Sequence, residues 1–149
     1  MPEKQTKRKH DPCPKIAIGT EDSRISLKEA FEASPLILIF YSGDFSPQAI
    51  TQLRRFAKEH EKYSNAGFQL FAVGNGSEAT RAAFIKKYNI PFSCFHDRRK
   101  SAAKAFGVVK KAGNKLVIVP HVFVINTEGK ICYVKKGYPK RTEILKACK

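Results

Sequence analysis

At 149 residues and 42% hydrophobic composition, the chain has the size of one globular domain, burying about 70% of the surface its unfolded form exposes. It has no apolar run of about 18 residues, which excludes a membrane-spanning helix within it, and no apolar segment follows the basic start "MPEKQTKRKHDP", so no secretory signal is expected. Its 28 basic and 13 acidic residues leave a net charge of +15, and the excess is lopsided: residues 1–97 carry +3 and residues 98–149 carry +12, with Glu128 and Glu143 the only acids of that last third.

Residues 1–11 are expected to form a disordered basic arm, with residues 12–149 as the single domain. Glu3 and the scarcity of serine in the arm argue against an organelle transit peptide, so the protein is expected to be cytoplasmic. "KIAI" (15–18) reads as a short strand. Ser26 and Glu29 have the spacing of a capping box, opening a short helix over 26–33 that Pro35 stops. "LILIFY" (36–41) is apolar throughout, as a central strand buried on both faces requires. The corner that follows leads into a helix from Pro47 to about Tyr63, on which Ile50, Leu53, Phe56, Ala57 and His60 share a face. Ser46, just before Pro47, reads as that helix's N-cap and Asp44 as a turn residue.

"FQLFAVG" (68–74) is the next strand, and Ser77 caps a helix that runs through Tyr88. "PFSCF" (91–95) is a short strand and "RKSAAKAFG" (99–107) a short helix stopped by Gly107. "GVVKKAGNK" reads as a basic turn. "LVIVPHVFVIN" and "KICYVKKG" are two strands joined at "TEG", and Pro139 is expected to begin the terminal helix. Strands alternating with helices build a largely parallel sheet, and the late pair adds antiparallel strands. The class is therefore α/β, with a mixed central sheet flanked by helices in the thioredoxin-like arrangement. Pro120 fits it, because a proline opening a strand near the sheet centre needs a special geometry. In the thioredoxin fold that proline is cis and lines the active site, so the resemblance implies a cis Val119–Pro120 bond.

Cysteines at 13, 94, 132 and 148 form no CxxC and no metal-ligand spacing, and the histidines at 10, 60, 96 and 121 form no cluster. Free thiols and no metal or cofactor are the expectation.

The stretches "FYSGDFSPQA", "FAVGNGSEATRAAFIKKYNIPFSCFHDRRKSAAKAFGV" and "VFVINTEGKI", in that order, resemble the peroxiredoxins of the AhpC/TSA class, nearest to the small bacterioferritin-comigratory type. The resemblance covers about residues 12–147 and implies a thiol-dependent antioxidant oxidoreductase. In that family the active loop has the form P-x-x-x-(T/S)-x-x-C. The resemblance puts the loop proline at Ser42, the hydroxyl at Ser46 and the peroxidatic cysteine at Ala49. It puts the peroxide-binding arginine at Pro120 and the near resolving cysteine at Arg54. Only Ser46 retains the group the family uses. A methyl group cannot attack a peroxide, and a serine without a base is a poor nucleophile. The resemblance therefore implies the architecture of a peroxidase with a degenerate site.

Two other readings stay open. Cys94 could serve as a relocated thiol if His96 or the cluster Arg98, Arg99 and Lys100 lowered its pKa; its bland alternative is a small hydrophobe on a buried strand. The basic last third could bind nucleic acid or an acidic protein partner. Its candidate polyanion-binding residues are Arg98, Arg99, Lys100, Lys110, Lys111 and Lys115, with Phe106, Tyr133 and Tyr138 interleaved as possible stacking surfaces. A homodimer is also compatible with the sequence.

Overall fold

The computed structural model describes residues 5–19, 24–42 and 46–147. In chain order the elements are β1 (Ala17–Ile18), β2 (Ile25–Ser26), α1 (Leu27–Ala33), β3 (Leu36–Phe40), α2 (Pro47–Asn65), β4 (Gln69–Gly74), α3 (Glu78–Tyr88) and β5 (Ser93–His96). A 3-10 turn (Arg98–Lys100), α4 (Ser101–Phe106), β6 (Val109–Ala112), β7 (Lys115–Ile118), β8 (His121–Ile125), β9 (Ile131–Lys136) and α5 (Arg141–Ala147) complete the chain. Five strands form the central sheet in the order β5-β4-β3-β8-β9. β3, β4 and β5 run parallel, while β8 and β9 are antiparallel to their neighbours. This is the mixed, helix-flanked sheet of the thioredoxin-like arrangement.

The sheet position of β3 explains its composition. Every residue of "LILIF" is buried because the strand has a neighbour on each edge and helices on each face. Leu36, Leu38 and Phe40 point to a layer with Leu27, Ala30, Ala103 and Phe106. There the rings of Phe40, Phe106 and Phe123 meet with centroids 4.8–5.9 Å apart. Ile37 and Ile39 point to the opposite layer, where Leu53, Phe56 and Tyr63 of α2, Phe84 of α3 and Ile144 of α5 close the core.

Several expectations are corrected. The run "LVIVPHVFVIN" is two strands: β7 pairs antiparallel with β6 in a separate hairpin, and β8 alone enters the central sheet. The basic segment read as a turn is thus a β-ribbon, closed by Gly113 and Asn114, with Gly113 at φ +65° as tight hairpin turns require. Pro120 lies in the joint between β7 and β8, where its missing N–H costs the ladder nothing. The Val119–Pro120 bond is trans, not cis. Around it, Val119 N donates to the Val108 carbonyl at 2.7 Å and Pro120 O accepts from Gly137 N at 2.7 Å.

Ser26 stands at the N-cap of α1 but makes no side-chain cap bond; the first helical N–H, on Leu27, goes to the Ile16 carbonyl at 3.0 Å, so the capping box does not form. α5 begins at Arg141, two residues after Pro139. Carbonyls of Tyr138 and Pro139 instead accept from the Arg55 guanidinium at 3.2 and 2.8 Å, and Arg141 pairs with Glu59 of α2. From Gln5 on, the expected free arm lies along the domain. Thr6 Oγ1 donates to Gly107 O, Lys7 N to Phe106 O and His10 N to Ile131 O at 2.7–2.9 Å. Backbone groups that a free arm would leave to water are paired there. Among the described cysteines Cys13 and Cys94 are free, whereas Cys132 is disulfide-bonded. No described helix is long and apolar enough to cross a membrane.

Candidate functional site

β3 ends on the corner that the sequence marks out. Tyr41 extends its pairing by donating its N–H to Val73 O at 3.1 Å, and Ser42 follows, half-buried. Asp44, read as a turn residue, lies outside the described residues. At Ser46 the chain enters α2: its Oγ accepts the Ala49 N–H at 3.2 Å and its carbonyl accepts the Ile50 N–H at 2.9 Å, with Pro47 in the first turn. This is an N-cap, and it is the contact recorded for the Ser46 hydroxyl. Ala49 is fully buried, its methyl in one apolar cluster with Tyr41 and Leu53.

Strand register brings the second half of the expected site here. Phe40 pairs with His121 of β8, and His121 with Lys136 of β9. Pro120, one residue before His121, therefore lies beside the Tyr41 end of β3, so the corner and the proline meet at one end of the sheet. Proline supplies no cation at position 120 itself; Lys136 of β9, paired with His121, is a basic residue that the register brings near it. The nearest titratable neighbour in the chain is His121, 8% exposed, which sequence reading had not singled out. Its Nδ1 lies 2.9 Å from Val119 O, and its ring stacks on Phe123 at 6.0 Å. Burial pushes the His121 pKa below its usual value, the Val119 carbonyl opposes this, and Lys136 adds to the lowering.

Cys94 is on β5, and the register Ile39↔Ala72↔Cys94 places it two strands from Ile39, about 10 Å away. It is 9% exposed, and burial pushes its thiol up to about 12, with Arg81 only partly opposing. His96, one candidate activator, holds its Nδ1 2.8 Å from Gly76 O. Cys13 is buried and pushed up to about 12 in the same way. Thiols so far above neutrality hold almost no thiolate. Cys148 lies outside the described residues. Arg54, the position matched to a near resolving cysteine, lays its guanidinium over the Tyr88 ring at 4.6 Å and joins α2 to α3.

The basic candidates separate into two groups. Arg98, Arg99 and Lys100 form the turn after β5, with Arg99 and Lys100 at φ +56° and +55°. Arg98 and Arg99 line a cleft of about 360 Å³ with Arg24, His96, Asp97 and Ser101. What holds this turn is Asp97, 3% exposed, whose carboxylate accepts from Ala102 N at 2.8 Å and Ala103 N at 2.9 Å. Desolvation raises the pKa of Asp97, and those backbone hydrogen bonds oppose the rise. An acid before a short helix was the available signal for this clamp. Lys110, Lys111 and Lys115 are exposed on the β6–β7 ribbon. Phe106 is fully buried in the core and offers no stacking face; Tyr133 and Tyr138 are half-buried, and Tyr133 OH donates to Glu143 at 3.2 Å.

Comparison with known proteins fits this geometry. The chain is 30% identical over 105 residues to "Peroxiredoxin Q, chloroplastic" of Triticum aestivum, a match covering 64% of this chain and 48% of the wheat protein. It thus spans about half the length of the curated relatives it matches. The fold superposes on the crystal structure of peroxidoxin BcpB from Mycobacterium tuberculosis with TM-score 0.83 at 16% identity, covering 93% of this chain and 94% of the other. It superposes on a PrxQ mutant of Xylella fastidiosa with TM-score 0.82 at 19% identity, covering 93% of each chain. At those identities the two structures speak for the fold. Residues 10–134 match the model of the AhpC/TSA family, and the chain belongs to that family.

Proposed function

We propose that this chain is a member of the AhpC/TSA family that has kept the architecture of the peroxide-reducing corner and lost its chemistry. The observation that carries the reading is Ala49, buried in the first turn of α2 at the position the resemblance assigns to the peroxidatic cysteine. Peroxide reduction by this class needs a thiolate sulfur that bonds one peroxide oxygen while the O–O bond breaks and the other oxygen leaves as hydroxide. A thiol at a helix N-terminus near a cation reaches that state. Here the helix N-terminus remains, but it faces a methyl group, and Pro120 stands where the arginine is expected. The Ser46 hydroxyl accepts the Ala49 N–H as a helix cap.

Steady-state consumption of hydrogen peroxide and of an alkyl hydroperoxide, with a thioredoxin or glutaredoxin reducing system, tests this. No turnover above the reductant's background is expected. Turnover lost on Cys94→Ser would replace the reading with a relocated thiol, against which the burial of Cys94 stands.

A second reading is a basic binding module. It is supported by the +12 of residues 98–149, more than the net charge of roughly 2–8 that keeps a whole small domain soluble. A field of one sign attracts polyanions, and the exposed lysines of the ribbon present it.

A further inference from the structure

The β6–β7 ribbon has a shape that the sequence did not disclose. Its register pairs Val109 with Ile118, Lys110 with Val117, Lys111 with Leu116 and Ala112 with Lys115. Alternation along each strand then sets Lys110, Ala112, Lys115 and Val117 on one face, and Val109, Lys111, Leu116 and Ile118 on the other. Val109 and Ile118 pack on the core at the base of the ribbon. Beyond them it extends by three residues on each strand, about 10 Å, ending in a turn whose Gly113 has open space around it. Its outer residues, from Lys110 to Lys115, are all exposed, and neither ion pair nor hydrogen bond to the side chains of Lys110, Lys111 or Lys115 is recorded among the described residues.

Two further basic segments lie near the base. The N-terminal segment lies against Phe106 and Gly107, bringing Lys7 there. Gly137 N bonds Pro120 O, which sets Lys136 at the end of β9 beside the β7–β8 joint. The ribbon is thus a projecting arm with lysines on both faces and at its root.

We propose that this ribbon is a docking arm for duplex DNA, held chiefly through the phosphates. The proposal rests on the second reading above and gives it a place and a partner. A two-stranded ribbon fits the major groove of B-form DNA, about 12 Å wide and 8.5 Å deep. Lysines on both faces would meet phosphates on both walls. Lysine acts as a point charge, and the arm carries no Arg or Gln; Asn114, at its tip, is the one amide that could reach a base edge, so the phosphates carry the contact. A-form RNA presents a deep, narrow major groove that such an arm does not enter. An acidic protein offers no groove with two charged walls.

The test is fluorescence anisotropy of a labelled random-sequence duplex of about 20 base pairs with the full chain, titrated at several salt concentrations from about 50 mM upward. Three proteins are compared: the unchanged chain, Lys110→Glu/Lys111→Glu/Lys115→Glu, and a charge-matched control, Lys58→Glu/Lys62→Glu/Lys86→Glu, whose lysines are exposed on α2 and α3. Circular dichroism checks each fold; if the ribbon triple unfolds, the corresponding Lys→Gln triple takes its place.

The expected result is salt-sensitive binding that the ribbon triple weakens at least tenfold. The slope of log affinity against log salt should fall by about 2.7 for three lost phosphate contacts, with the control nearer to the unchanged chain. Equal losses in both triples would overturn the arm while leaving a basic module. Tighter binding to an RNA duplex or to a poly-glutamate peptide than to DNA would overturn the choice of partner. No saturable binding to DNA at about 50 mM salt would overturn the arm, and silence towards all three probes would overturn the second reading with it.

Discussion

The hydroxyl of Ser46 lies 3.2 Å from the Ala49 N–H and settles one of the first-turn donors of a 19-residue helix. That role sets the size of its effect. Ser46→Ala should cost about 1 kcal/mol, the usual loss on deleting a cap, whereas Ser46→Asp should retain most of the stability because aspartate caps equally well. Urea unfolding midpoints read both; an unchanged midpoint for Ser46→Ala would show that the bond contributes nothing. His121 carries a second expectation, and its sign follows from burial. The folded state lowers the His121 pKa, so the unfolded chain binds the extra proton first as pH falls below about 6.5. The stability that goes with its neutral ring is present above that value and is lost as pH drops towards the lowered folded value. Thermal midpoints at pH 7.5 and 5.5 should therefore fall less in His121→Gln than in the unchanged chain. An equal fall in both would place the acid sensitivity elsewhere. Cap and histidine differed in legibility: Ser-Pro before an amphipathic run announces a helix start, whereas the burial of His121 depends on β8 pairing with β3, which no local pattern states.

Between elements, the contact of Tyr41 with Gly74 ties the end of β3 to the end of β4. A Cβ on Gly74 would run into the Tyr41 ring, and β4 neighbours β3 along its whole length. Gly74→Ala should therefore destabilise by about 1–3 kcal/mol, as overpacking a filled core does. Tyr41→Leu should cost less in the Gly74→Ala background than alone, since the clash is then gone. Chemical unfolding of the four proteins of that cycle gives the coupling; strictly additive losses would deny the contact. Here the sequence was informative in outline. "LILIF" marked a strand buried on both sides, and the alternation of strands and helices marked the class, because burial and period leave local traces. The β6–β7 ribbon was not legible. Its lysines break the apolar alternation, and "LVIVPHVFVIN" runs unbroken through Pro120, so nothing local separated the strand that leaves the sheet from the one that stays. The cis expectation came from the resemblance to the thioredoxin fold, and the chain instead places Pro120 between two strands with a trans bond before it.

At the scale of the whole molecule, charge opposes the fold. A net charge of +15 on 149 residues repels itself, and the last third holds +12 of it. Among the described residues acids relieve only part of it: Glu143 meets Lys135 at 2.8 Å, and Glu59 meets Arg141. Repulsion of this kind reaches as far as the Debye length, about 30 Å at 10 mM salt and 8 Å at 150 mM. The thermal midpoint should consequently rise as sodium chloride is raised over that range. The same argument orders two variants. Lys110→Glu/Lys111→Glu/Lys115→Glu takes the net charge from +15 to +9, so its midpoint should depend less on salt than that of the unchanged chain. The control on α2 and α3 removes the same charge from the region that carries +3, and it should reduce the salt dependence less than the ribbon triple does. Differential scanning fluorimetry across the salt series measures all three slopes. If the ribbon triple keeps the full salt dependence, the ribbon lysines lie too far from the remaining charge to feel it. The cost to stability would then arise on the body of the domain, with the arm carrying its charge outward at no expense to the fold.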